Sequence, residues 1–163
     1  MNLRDKLMKL SEKLHGEIHF LLGIVIAFVV YACFHDNLFD LLVISTIGSF
    51  FPDIDHLIYL FFYGKNTDYS IQARGILLSK GFVKYIEYCK ENHKNNTGIL
   101  SHNILTPVIS LVLAMYLGFV GNSLLTALFF SITFHFVYDM LEDLLFFGRL
   151  NNNWWLRFSF QEK

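Results

Sequence analysis

The sequence predicts an all-α integral membrane bundle of about four transmembrane helices, folded as a single membrane-embedded domain over residues 1–163. Three observations predict it. First, 54% of the residues are apolar and only 17% are charged, whereas a water-soluble domain carries about 25% charged residues. The deficit points to lipid over much of the surface. Second, four apolar stretches stand out, at roughly 18–34, 38–62, 103–120 and 122–147, close to the ~20 residues that cross a hydrocarbon core ~30 Å thick. Third, the lysines and arginines all fall on one side of such an arrangement. A soluble domain built from the same helices is the rival reading, and the charge distribution argues against it.

Taken in order, MNLRDKLMKLSEKLHGE carries Leu3, Leu7, Leu10 and Leu14 at helical spacing with lysines on the other face. It predicts an amphipathic helix lying on the membrane or packing on the domain, not a cleaved signal. The first span, IHFLLGIVIAFVVYACF, is uninterrupted; the second is broken by Pro52 and an acidic cluster. The third has Pro107 in its early turns, and the fourth turns polar on one face at His135, Asp139, Glu142 and Asp143. The links HDN (35–37) and GFVGN (118–122) are short, which favours antiparallel neighbours. The polar stretch 64–98 contains Phe82, Ile86, Cys89 and His93 at helical spacing and predicts a short surface helix near 80–93.

Arg4, Lys6, Lys9 and Lys13 precede the first span. Lys65, Arg74, Lys80, Lys84, Lys90 and Lys94 lie in the 64–98 loop, and Arg149, Arg157 and Lys163 lie in the tail. The two short links hold none. The positive-inside rule therefore places both termini in the cytoplasm, with the chain integral to the cytoplasmic (inner) membrane. Trp154 and Trp155 then suit the inner interface belt, and Cys33 and Cys89 lie on opposite sides, unable to pair. Net charge is −1 and no basic cluster is present, which excludes nucleic acid as a partner.

This topology gives each ionisable residue a depth. His19 opens the first helix at its cytoplasmic end and His102 opens the third. Asp53, Asp55 and His56 follow Pro52 in the second, and His135 and Asp139 occupy the inner half of the fourth. His35 falls in an outer turn and reads as solvated. An aspartate at mid-membrane costs roughly 2.5–3.5 kcal/mol, so Asp53, Asp55 and Asp139 together cost on the order of 8–10 kcal/mol before any pairing, comparable to the stability of a whole domain. A divalent cation offsets that cost, because carboxylates and neutral imidazoles are its ligands. His135 and Asp139 (i, i+4) share a helix face, as do Asp53 and His56 (i, i+3). A kink at Pro52 would turn the PDIDH cluster inward. Glu142 and Asp143 extend the polar face by a turn: Glu142 either supports the ligands from behind or, with Asp143, approaches the inner headgroups, the latter being the simpler reading.

The order and spacing of IHFLLGIVIAF, GSFFPDIDH, LSHNIL and HFVYD resemble the YdjM-like family of LexA-binding, inner-membrane-associated metal-dependent hydrolases, over roughly residues 15–145. The resemblance implies an integral membrane protein with a metal site, and carries over His19, Asp53, Asp55, His56, His102, His135 and Asp139. Thr97 and Gly98 stand where that family usually carries a basic residue.

The functional expectation is a membrane-bound metal-dependent hydrolase using one or two divalent ions (zinc, manganese or magnesium). It would act on an ester or phosphoester of a lipid headgroup at the inner leaflet, as a phospholipase C-like enzyme or lipid phosphatase. His19, Asp53, Asp55, His56, His102, His135 and Asp139 are the candidate ligands. Asp53 and Asp55 are the candidate catalytic carboxylates, Asp55 as a ligand or general base. The alternative is a non-catalytic scaffold or metal-transport protein with a structural metal. The almost wholly apolar outer half argues against a through-pathway but not against a scaffold.

Overall fold

A computed structural model describes residues 3–92 and 98–155, and among them every regular element is helical. Helix α1 runs unbroken over Leu3–Phe34, and α2 covers Leu38–Phe50. The chain continues through a 3-10 turn at Phe51–Asp53, the short α3 at Ile54–Ile58 and a π turn at Tyr59–Tyr63. Then come α4 (Asp68–Asn92), α5 (Leu105–Phe119) and α6 (Ser123–Phe147). Helices α1, α2 and α6 pack against one another as a three-helix core, and α5 lies against α6. Three segments, Leu3–Phe34, Leu38–Tyr63 and Ser123–Phe147, are long and apolar enough to cross a membrane. Helix α5 is equally apolar but has 15 residues, about 22 Å at 1.5 Å per residue, short of a full hydrocarbon core.

The helix ends are placed by local chemistry. Asn37 caps α2 by accepting from the Phe39 amide (3.0 Å), and Asn122 caps α6 by accepting from Leu125 (3.1 Å). His35 ends α1 in the left-handed region (φ 54°), where histidine is among the tolerated residues. The α1–α2 link is tied to the start of α6 by the Ser123 hydroxyl, which donates to Asp36. That bond and the Asn37 amide hold the Asp36 carboxyl below the usual carboxylate range. At the other end, the Arg4 guanidinium donates to the carbonyls of Leu145 and Phe146, 2.8 Å each, satisfying the last turn of α6.

The packing is inverted relative to a protein in water. Ser45, Ser49, Ser131, Thr126, Thr133, His19, His135 and Asp139 are buried, whereas Phe20, Val25, Phe28, Phe39, Val43, Ile47, Val112 and Met115 face outward. An apolar shell around a polar interior is the arrangement expected where lipid is the solvent. The buried apolar residues are small in number; Ile26, Ala27, Val30, Leu41 and Ala127 join α1, α2 and α6 near the 35–37 link. Close approach is made by glycines. A Cβ on Gly48 would lie 2.7 Å from the carbonyl oxygen of Leu128 in α6, and one on Gly23 would lie 3.0 Å from Thr46 Cα in α2.

Three expectations are corrected here. The N-terminal amphipathic helix is not a separate element, because α1 is continuous from Leu3. Leu3, Leu7 and Leu10 face out, Leu14 is half-buried, and the polar stripe, Ser11 and His19, faces in. The 64–98 stretch holds a longer helix than expected, α4, interrupted at Gly81 (φ 82°, ψ 176°), a conformation glycine alone adopts without strain. His93 lies outside the described residues. Trp154 is buried against Ile132 and Phe136 instead of sitting in an interface belt; Trp155 is exposed.

Candidate metal centre

The centre is built where the second apolar segment loses helical regularity. Pro52 has no amide proton, and it sits in a 3-10 turn whose amides bond to i−3 instead of i−4. The Ser49 carbonyl, which a regular helix would bond to the amide of residue 53, instead accepts from His135 Nδ1 at 2.7 Å. A carbonyl only accepts, so the proton of neutral His135 sits on Nδ1 and the Nε2 lone pair faces the cluster. His135 Nε2 lies 3.2 Å from Asp139 Oδ2 and 3.8 Å from Asp53 Oδ1.

His15 and His102 are likewise held through Nδ1, whereas His19 Nδ1 is buried without a hydrogen-bond partner. His15 Nδ1 lies 3.3 Å from Glu142 Oε1, leaving its Nε2 3.2 Å from His19 Nε2. Glu142 is in turn held by the Ser11 hydroxyl and by Tyr138 Oη at 3.2 Å. His102 Nδ1 meets Ser101 Oγ at 3.0 Å, and its Nε2 lies 3.2 Å from Asp139 Oδ2. His19 stacks on His135 with ring centroids 4.0 Å apart, and its Nε2 is 3.5 Å from Asp139 Oδ1. An imidazole whose Nδ1 is fixed by an oxygen while Nε2 points at carboxylates has the arrangement of a metal ligand with its outer-shell partner.

The ligand atoms form overlapping groups, each within 4.8 Å: His15, His19 and Asp139; His19, Asp53 and His135; Asp53, His56 and His102; His102, His135 and Asp139. Asp139 and Asp53 each belong to two groups. Within the cluster, His135 Nε2 and Asp139 Oδ1 are buried without a hydrogen-bond partner, although nitrogens and oxygens lie close by. Buried polar atoms left so are costly. A cation between them would satisfy both, so the residues present fit a divalent metal ion. A cavity of about 40 Å³ reaches the cluster, with His15, Asp53, His56, His102 and Asp139 on its wall and Trp154 beside them.

The expected residues His19, Asp53, His56, His102, His135 and Asp139 are thus brought together. Their positions differ in detail: His19 lies well inside α1, and His102 precedes α5 in an irregular segment. Asp55 is not brought in. Its Oδ1 accepts from Tyr63 Oη (2.9 Å) and its Oδ2 from the Ser101 amide (2.7 Å), so it ties α3 to the segment carrying His102. On the reading of the cluster as a metal site, Asp55→Asn is therefore expected to bind metal as wild type does while loosening that segment. Metal analysis of the purified variant, with protease sensitivity around 98–104, checks this.

Sequence reasoning missed His15, whose i, i+4 spacing to His19 repeats that of His135 to Asp139. Of the two roles left open for Glu142, the structure shows the supporting one, since it is buried and holds His15; Asp143, expected at the headgroups, is buried as well. Asp143 Oδ2 accepts from Trp154 Nε1 at 2.6 Å, which fixes the tail over the cavity.

No family model matches the chain, nor does any curated protein or solved structure. The functional reading therefore rests on the geometry of the centre.

Proposed function

We propose that this chain is a membrane-embedded hydrolase that uses one or two divalent ions to cleave a phosphoester or ester in the headgroup of a membrane lipid. The observation that carries it is the placement of the ligand cluster. His15, Asp53 and His56 line both the cavity at the ligands and a wider groove walled by apolar side chains. Asp53 is 38% exposed, whereas Asp139 and His135 are buried, so the ligand set is closed on the α6 side and open on the groove side. A catalytic site keeps such an open position; a structural one is closed. The imidazole-rich donor set favours zinc over magnesium.

A bound divalent ion would lower the pKa of a water molecule and polarise the scissile oxygen. The chain's own residues do the rest. Asp139, touching His19, His102 and His135, holds the donor set together. Ser49 O and Glu142 keep His135 and His15 oriented. His15, at the groove, is placed to move a proton at the leaving oxygen. The resemblance to the YdjM-like hydrolases supports this reading through the motifs alone.

The experiment is metal analysis of the purified protein together with a phospholipid panel, on wild type and Asp53→Asn. Wild type is expected to hold metal and turn over a lipid, and Asp53→Asn to lose turnover by more than the roughly 10–100-fold caused by losing an outer-shell partner. Bound metal without turnover of any lipid would favour the scaffold with a structural ion. No bound metal would sink both.

The same reading places α5 as a fourth crossing, its short length met by local thinning of the bilayer, with both termini on the cytoplasmic side of the inner membrane. Cys33 and Cys89 are free thiols. An impermeant maleimide is expected to reach Cys33 from outside intact cells and Cys89 only after permeabilisation. Labelling of both from one side would rule the topology out.

A further inference from the structure

The groove beside the cluster has a shape and chemistry that narrow the substrate. We propose that it seats one apolar chain of the substrate, whose phosphate end lies at the metal ligands. The substrate class is then a phosphate ester carrying a long hydrocarbon chain. This deepens the hydrolase reading and rests on it for the chemistry, though not for the binding.

Four observations support it. The groove, about 380 Å³, is walled by Leu57, Leu60, Tyr69, Phe82, Tyr85 and Ile86. That is near the lower end for small-molecule pockets, and suits one chain better than two. Its other end is Glu12, His15, Asp53 and His56, three of which also line the metal cavity. Whatever fills the groove therefore presents its end to the ligands. Apart from the Tyr69 and Tyr85 hydroxyls these walls are apolar and offer a sugar or a nucleoside few polar partners, so a hydrocarbon is the better match.

Continuity with the lipid-facing surface supplies the route. Leu57 and Phe82 line the groove and are themselves exposed, as are Ile54, Ile58 and Phe61 near Leu57 in sequence and Leu78 and Val83 near Phe82. On the proposal, a chain enters from the bilayer past these exposed apolar side chains. Finally, among the described residues no lysine or arginine lines either cavity. An anionic headgroup has no fixed cation to meet there, so its binding must depend on the metal.

Cys89 lies on the groove wall and reports occupancy independently of turnover. In Cys33→Ser protein held in lipid nanodiscs, the rate of maleimide modification at Cys89 is measured with dodecyl phosphate, with inorganic phosphate, and after chelation. With dodecyl phosphate at ten times its Kd, modification should slow about tenfold by mass action. Inorganic phosphate at the same concentration should not slow it, and chelation should weaken the protection. Ile86→Trp, which fills the groove, and Phe82→Asp, which charges an exposed part of its wall, should each abolish protection and leave bound metal unchanged. Absence of protection by dodecyl phosphate, or equal protection by inorganic phosphate, would overturn the proposal. Protection without hydrolysis of any ester would leave the chain site standing and defeat the hydrolase reading. Hydrolysis of soluble phosphoesters without protection would do the reverse.

Discussion

Asp139→Asn should purify as a folded protein that has lost its divalent metal. The substitution is nearly isosteric, so the packing of α6 against α1 and α2 is preserved. It removes the one carboxylate that lies 3.2 Å from both His102 and His135 and 3.5 Å from His19. Loss of an outer-shell partner costs roughly 10–100-fold in metal affinity, and loss of this shared ligand should exceed that. The effect on stability follows by linkage. At a free-metal concentration about 1,000 times Kd, binding stabilises the folded state by about 4 kcal/mol. Wild type should therefore melt higher with metal than with chelator, while Asp139→Asn should melt at one temperature in both. The pH dependence has a definite sign. Imidazoles must be neutral to bind metal, so wild-type metal content should fall as pH drops. Thermal melts with and without chelator, paired with metal analysis across pH, check all three. A variant with full metal content would remove Asp139 from the ligand set.

Gly48→Ala is the second large effect, and it acts without touching a ligand. Its new Cβ would meet the Leu128 carbonyl at 2.7 Å and Ser131 Cβ at 3.0 Å, below any ordinary contact. The Leu128 oxygen is backbone and cannot rotate away, so α2 and α6 must separate. Overpacking of this kind costs about 1–3 kcal/mol. Separation also lengthens the 2.7 Å bond from His135 to Ser49 and draws His135 and Asp139 away from Asp53. Both a lower melting temperature and a loss of metal are therefore expected. Gly16→Ala is the matched control, because no atom lies within 4 Å of its added Cβ. It sits within a helix, where alanine is favoured by roughly 0.5–1 kcal/mol, so it should be neutral or stabilising and retain metal.

Much of the fold and of the centre was legible because ionisable groups inside an apolar chain are expensive. That cost singled out Asp53, His56, His135 and Asp139, and helical spacing paired them. What escaped did so for identifiable reasons. The leucines at 3, 7 and 10 read as the face of a separate helix lying on the membrane or packing on the domain, and an apolar stripe that packs is the rule in water. In lipid the preference reverses, and the stripe that packs is Ser11, His15 and His19. His15 was lost to that reversal, as was the burial of Asp143. Asp55 was included because a kink at Pro52 could have turned it inward, yet the turn realigned only Asp53 and His56. The distinction depends on backbone angles over residues 51–54, which residue identity does not specify. Trp154 is equally ambiguous, since an indole serves an interface belt or a buried donor to Asp143 with the same side chain.

The inverted packing has a consequence for how the protein is made. Helices whose outer faces are apolar can enter the bilayer one at a time, but little apolar surface then remains to drive them together. The docking of α1, α2 and α6 must then draw on hydroxyl contacts and glycine approaches and, on the proposed function, on an ion shared by the cluster. On that proposal, newly inserted chains would wait as separate spans until the ion arrives, and supply of that ion would set the pace of maturation. Cells starved of it should accumulate inserted but undocked chains, exposed to membrane proteases for as long as the clasp between α2 and α6 stays open.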